Sequence, residues 1–193
     1  KMAAVQYLHS PEKWSDDQIK LKASKNRKQA IELLVMKYRE QLFRHAVYFI
    51  KDQDAAYDIV QETFIRAIKE QRLFNLDFRI KAWLFRVAKN LCLNQIRNKS
   101  RRTAILQANP GLDHQEADQY QQLFEGEREI AMMKAMEELS EEHREILILR
   151  YYDDLSYAEI SQILEIKLGT VMSRLSRARA KLLTVMPEDI KER

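Results

Sequence analysis

Asp58 and Glu62 lie four residues apart, so a helix through them presents both carboxylates on one face as a surface for a basic partner. From Arg79 to Arg102 the charges are all of one sign: Arg79, Lys81, Arg86, Lys89, Arg97, Lys99, Arg101 and Arg102 stand with no acid among them, and Trp83 and Phe85 are interleaved. Cations of this kind take phosphates, and aromatic rings take unstacked bases. A third stretch places Thr170, Ser173, Arg174, Arg177 and Lys181 on or near one outward helix face. Arg grips guanine O6 and N7 bidentately, while Ser and Thr bond phosphate or a base edge. An acidic docking face beside a basic aromatic one suggests an adaptor between a protein and a nucleic acid.

Turnover chemistry is not supported. His9, His45, His114 and His143 show no metal-ligand spacing with acids or with the single cysteine, Cys92, and they read as surface or core histidines. Gly111, Gly126 and Gly169 are too scattered for a phosphate loop. No catalytic residue, cofactor or metal is expected. One cysteine cannot form an internal disulfide, and Cys92, between Leu91 and Leu93, reads as a small core hydrophobe in a reducing, cytoplasmic setting. No apolar run approaches the ~20 residues of a membrane span. The first residues lack a signal pattern, and Lys1-Met2 reads as an appended start.

These faces need helices to carry them. Among 193 residues there are only three glycines and three prolines, 46% of residues are hydrophobic and 32% charged, a balance that predicts an all-α protein with real cores. The net charge of +4 is modest, but it is arranged as two basic patches around an acidic stretch from Asp113 to Glu129, as suits a protein that touches a polyanion twice. Apolar periodicity places one helix over 27–50, burying Ala30, Leu33, Leu34, Tyr38, Leu42, Ala46 and Phe49. A second runs over about 54–70 and buries Ala56, Ile59, Val60, Thr63, Phe64 and Ala67, and the basic helix ends near Ser100.

The boundaries expected are an N-terminal segment 1–24, a first helical domain 25–103, a flexible acidic linker 104–126 with a short helix near 120–124, a second domain 127–186 and a tail 187–193. Ser15, Ser140 and Ser156 read as N-caps, the last in a capping box with Glu159. In the second domain helices are expected over about 128–139, 141–152, 157–164 and 167–185. The last two, joined by a few residues, describe a helix-turn-helix: Ile160, Ile163 and Leu164 point inward, and Val171, Leu175, Ala178 and Leu182 form the buried stripe of the second.

Leu139 to Arg179 resembles region 4 of bacterial sigma factors, with Leu155-Ser156-Tyr157-Ala158-Glu159-Ile160 and Gly169-Thr170-Val171 as its core motifs. Asp58-Ile59-Val60-Gln61-Glu62-Thr63-Phe64 and Trp83-Leu84-Phe85-Arg86-Val87-Ala88-Lys89-Asn90 resemble region 2 of the same family. The order and spacing of these motifs over about Lys20 to Leu183 are similar to the extracytoplasmic-function (ECF, group IV) sigma factors of the sigma-70 family.

The resemblance implies an alternative sigma factor, a non-catalytic initiation subunit of RNA polymerase. Core polymerase would be met through its β′ clamp helices and β flap, promoter DNA at −10 and −35, and an anti-sigma factor would restrain the chain. Asp58, Gln61, Glu62 and Ile65 would face core polymerase. Arg79, Lys81, Arg86, Lys89 and Asn90 would hold and melt the −10 element, with 74–78 rimming a base pocket. Trp83 and Phe85 suit a core as well as a base. Contact at −35 would fall chiefly to Arg174, Arg177 and Ser173, with Thr170 and Lys181 beside them, because Lys167, Met172 and Ser176 depart from the family pattern. A stand-alone helix-turn-helix regulator, or a helical decoy that binds polymerase without initiating, would use only part of these surfaces.

Overall fold

The computed structural model describes residues 14–107 and 127–186. The linker residues 108–126, the short helix expected within them, the first 13 residues and the tail from 187 lie outside the described residues. The rest is helical: α1 (Asp16–Ala23), α2 (Arg27–Ile50), α3 (Gln53–Lys69), α4 (Ile80–Gln107), α5 (Glu127–Glu137), α6 (Glu141–Leu147), α7 (Tyr157–Leu164) and α8 (Leu168–Val185). The basic helix α4 continues past Ser100, where the pattern predicts its end.

Local chemistry starts several of these helices, at Ser15 and Ser156 as the sequence leads one to expect and at Asn26 and Asp52 without such a signal having been read. Ser15 caps α1 in a box completed by Gln18, and Ser156 caps α7 in a box with Glu159. Asn26 and Asp52 cap α2 and α3 through their side chains. Ser140 takes the N-cap position of α6 but its side chain makes no capping bond; Arg144 instead ties the preceding carbonyls of Met136, Glu137 and Leu139 to α6. The expected α-helix over 141–152 is also modified: Ile148–Tyr152 is a π turn, closed by Asp153 N–H donating to the Ile148 carbonyl. That wider turn delivers Asp153 inward, where it is buried.

The first four helices pack around Leu34, Tyr38, Leu42, Leu84 and Phe85, all essentially inaccessible to solvent. Leu33 and Phe49, expected within this core, are only partly buried at its edge. Asp16 pins α1 to α2 by accepting from Lys37 Nζ at 2.6 Å and from the Tyr38 hydroxyl at 2.5 Å. Burial, then the Asp16 charge, holds the Tyr38 phenol well above its ordinary value, so it remains a donor. In the C-terminal half, Val171, Leu175 and Ala178 of α8 are buried in the same cluster as Ile146, Leu147 and Ile160, while Leu182 is partly buried against it.

The two halves are not separate bodies. α4 packs on α7, α2 packs on the π turn, and the buried apolar residues of both halves form one continuous cluster.

Candidate functional site

The α3 face is open. Asp58, Gln61 and Ile65 are exposed, and Glu62 is half-exposed with its carboxylate bonded to Arg66 Nε at 2.7 Å. The acid pair expected from the spacing is therefore one unbridged carboxylate, Asp58, and one carboxylate already in an intrahelical ion pair. Such a pair contributes only ~0.2–0.5 kcal/mol, so a partner cation can replace Arg66 at small cost. Beside this face α2 and α3 form an apolar groove lined by Val35, Phe43, Tyr57, Gln61, Ile65 and Ile68. Tyr57 and Ile68 are half-exposed hydrophobes, at 53% and 52%, and the Tyr57 ring stacks on Phe43 at 4.3 Å. Sequence reading missed Tyr57 and Ile68. The signal was available, because both lie on the same outward helical rows as Asp58, Gln61 and Ile65.

α4 divides its residues between core and surface. Phe85 is fully buried, with its ring edge-on to His45 at 5.3 Å, so it is a core residue. Cys92 is buried too, and burial, followed by the nearby Asp153 charge, pushes its thiol up to about 12. Trp83 is half-buried against Phe78 and borders a cleft with Arg79, Arg86, Gln162 and Glu165. Arg79 and Asn90 are exposed.

The other three cations expected to meet DNA are engaged from the C-terminal half. Lys81 donates to the Asp154 carbonyl at 3.4 Å, Arg86 pairs with Glu165 at 3.2 Å, and Lys89 pairs with Glu145 at 3.0 Å. The last pair is largely shielded from solvent. Beneath them His45 Nδ1 lies 2.6 Å from Asp153 Oδ2, both residues inaccessible. The Tyr48 and Tyr152 rings meet at 4.0 Å, and Lys51 pairs with Glu137. None of these cross-contacts is legible from spacing, because their partners lie up to 108 residues apart.

The loop 70–79 sits against α1. Lys20, 7% exposed, donates from Nζ to the Leu76 carbonyl at 2.9 Å, and Arg27 stacks its guanidinium over Phe74 at 5.2 Å. A lysine is rarely this buried without a fixed acceptor. Periodicity gave no warning of it, since Lys20 looks like any solvated helix cation.

On α8 the outward residues Ser173, Arg177 and Lys181 are exposed and Thr170 is half-buried. Arg177 reaches back to Ser173, and Arg174 leans on Glu142 of α6 at 3.3 Å. α7 ends at Glu165, whose φ of 55° makes the sharp turn into α8 without a glycine. The result is a helix-turn-helix that presents a basic face next to an exposed Met172.

A helical protein with an open apolar and acidic face on α3 and a basic helix-turn-helix at α7–α8 is what this geometry defines. Residues 34–102 match Sigma-70 region 2, and residues 129–182 match Sigma-70, region 4. The chain is 31% identical over 183 residues to the ECF RNA polymerase sigma factor SigC of Mycobacterium tuberculosis, covering 91% of this chain and 96% of that one. It is 29% identical to the RNA polymerase sigma-H factor of Pseudomonas aeruginosa, covering 85% and 90%. The structure superposes on the sigma factor RpoE in complex with the anti-sigma factor NepR from Bartonella quintana at a TM-score of 0.61 and 28% identity, covering 83% and 96%. The chain belongs to the ECF sigma factors of the sigma-70 family. It is an alternative sigma factor that acts with RNA polymerase; a stand-alone regulator would leave the whole region 2 match unexplained. Among the described residues, no helix is long and apolar enough to cross a membrane.

Proposed function

We propose that this chain is a non-catalytic, cytoplasmic initiation subunit of the group IV type, which docks on core polymerase through α3 and reads −10 with α4 and −35 with α8. The observation that carries this reading is the exposed α3 face, with Asp58, Gln61 and Ile65 flanking an open apolar groove on a helix that has no need of them for packing. Exposed apolar side chains rimmed by charge are the signature of a docking surface. Tyr57 and Ile68 extend the docking set on the β′ clamp helices. A second apolar groove, lined by Met132, Met136, Leu147, Tyr151, Leu182 and Leu183, offers a seat for the β flap. The region 2 unit spans 25–103 and the region 4 unit 127–186, with an acidic linker between, and an anti-sigma factor is a further partner, a reading supported by the likeness to RpoE, which was solved in complex with the anti-sigma factor NepR.

Run-off transcription with purified core polymerase on a genomic fragment library tests this. Transcripts should start at a fixed distance downstream of a shared −35/−10 pair; no template-specific transcript above core alone would reject the reading.

Two residues then separate contact from positioning. Arg177→Ala should weaken −35 duplex binding by ~1–3 kcal/mol in anisotropy titrations, and unchanged affinity would mean that α8 enters the groove in another register. Lys20→Met keeps the buried stem but removes the bond to Leu76. It should lower discrimination at the −10 base read by the 74–78 loop while core affinity stays constant; equal loss at every base would make Lys20 merely structural.

A further inference from the structure

We propose that the free chain is self-locked: its C-terminal half occupies the DNA-facing cations of α4, and the buried His45–Asp153 pair is the latch. This rests on α4 being the −10 surface. A carboxylate or carbonyl oxygen offers a lysine or arginine what a phosphate oxygen offers it, and here Asp154, Glu165 and Glu145 supply those oxygens to Lys81, Arg86 and Lys89. DNA cannot take these three cations without displacing the C-terminal half. Charge mimicry alone would be loose, because two of the three contacts are solvent-exposed. Register comes from below, where His45 of α2 and Asp153 at the end of the π turn meet in the dry interior of the interface.

The same pair makes the interface releasable. His45 Nε2 and Asp153 Oδ1 are buried without a hydrogen-bond partner among the described residues. Opening would hydrate both, so separation recovers solvation that an apolar seam of equal area would not. Asp154 and Glu165, which supply two of the three covering oxygens, both adopt left-handed backbone conformations, with φ of 47° and 55°. Non-glycine residues hold such conformations only where surrounding contacts over-determine them. A polar latch with unsatisfied atoms is suited to two states, closed alone and open on a partner.

Zero-length carbodiimide cross-linking of the full chain, read by peptide mass spectrometry, reports the closed contact as Lys89–Glu145 and Lys51–Glu137 links. Both should form in the free chain and fade when core polymerase is added. Anisotropy with a fluorescein-labelled, mixed-sequence 20-nucleotide single strand reports whether α4 is available. Asp153→Asn should lose the links and bind the strand about tenfold tighter, as expected if about nine chains in ten are closed. Glu165→Gln, which keeps the size of an exposed side chain and removes its charge, should give a smaller gain in the same direction. Glu32→Gln, exposed on α2, removes the same charge away from the interface and should change neither readout. Absence of cross-half links in the free chain overturns the lock. So do links accompanied by equal DNA binding in wild type, Asp153→Asn and Glu165→Gln, or a gain matched by Glu32→Gln. If the links are lost in Asp153→Asn and no protein binds the strand, the reading of α4 as the DNA surface fails, and the lock falls with it.

Discussion

Asp58→Arg combined with Glu62→Arg is expected to abolish binding to core RNA polymerase while the helical fold survives. Both side chains lie on the open face of α3, and neither contributes to the core beneath, which is made by Ala56, Ile59, Val60, Thr63, Phe64 and Ala67. The folding cost is the loss of the Glu62–Arg66 pair and a new like-charge pair one turn apart, a few tenths of a kcal/mol each. The binding cost is far larger. Close interfacial charge pairs couple by ~1.5–7 kcal/mol, and reversal turns attraction into repulsion at two positions. A loss of ~4 kcal/mol already raises Kd about a thousandfold. Co-purification with core polymerase, beside a circular-dichroism melt of the isolated variant, checks both halves of the expectation. Wild-type levels of co-purified core would remove α3 from the docking surface.

Phe85→Ala should do the opposite, leaving the surface chemistry intact and removing the fold that supports it. The ring is fully buried and edge-on to His45. Emptying such a site costs ~3–5 kcal/mol, a large part of the ~5–15 kcal/mol that stabilises a typical domain. Urea denaturation of the full chain should show the midpoint falling by that equivalent. A Phe85→Ala protein of near-normal stability but weak −10 binding would mean that the ring faces a base instead. Trp83, half-buried on the cleft side of the same helix, is the aromatic still able to meet DNA.

The helix-level pattern was legible because it depends on neighbours three and four residues apart. The six residues expected to be buried on α3 are the six that are, and the α8 stripe holds at Val171, Leu175 and Ala178. Capping boxes at Ser156 and the cap at Ser15 were likewise local and visible. Ser140 takes the N-cap position as expected but makes no side-chain cap, and the tie from Arg144 to the carbonyls of Met136 and Leu139 had no signal in the spacing. The π turn escaped detection because the run leading into it, Ile146 to Leu149, is buried at every position and so suits any helical pitch.

What the sequence alone determined is therefore the set of helices, which face of each is apolar, and which charges lie on the outward faces. The sign and spacing of side chains along one helix fix those properties. Tertiary structure decided which charges are actually available. Glu62 and Arg174 had been grouped with contact residues as if free, yet each has a partner on its own module. Lys81, Arg86 and Lys89 are met by oxygens from a half of the chain that no periodicity could bring near them. His45, one of four unremarkable histidines in the sequence, lies at the centre of that meeting. Long-range pairing depends on how two helical modules dock. That is set by shape and by a few buried polar groups, and neither leaves a repeat in the sequence.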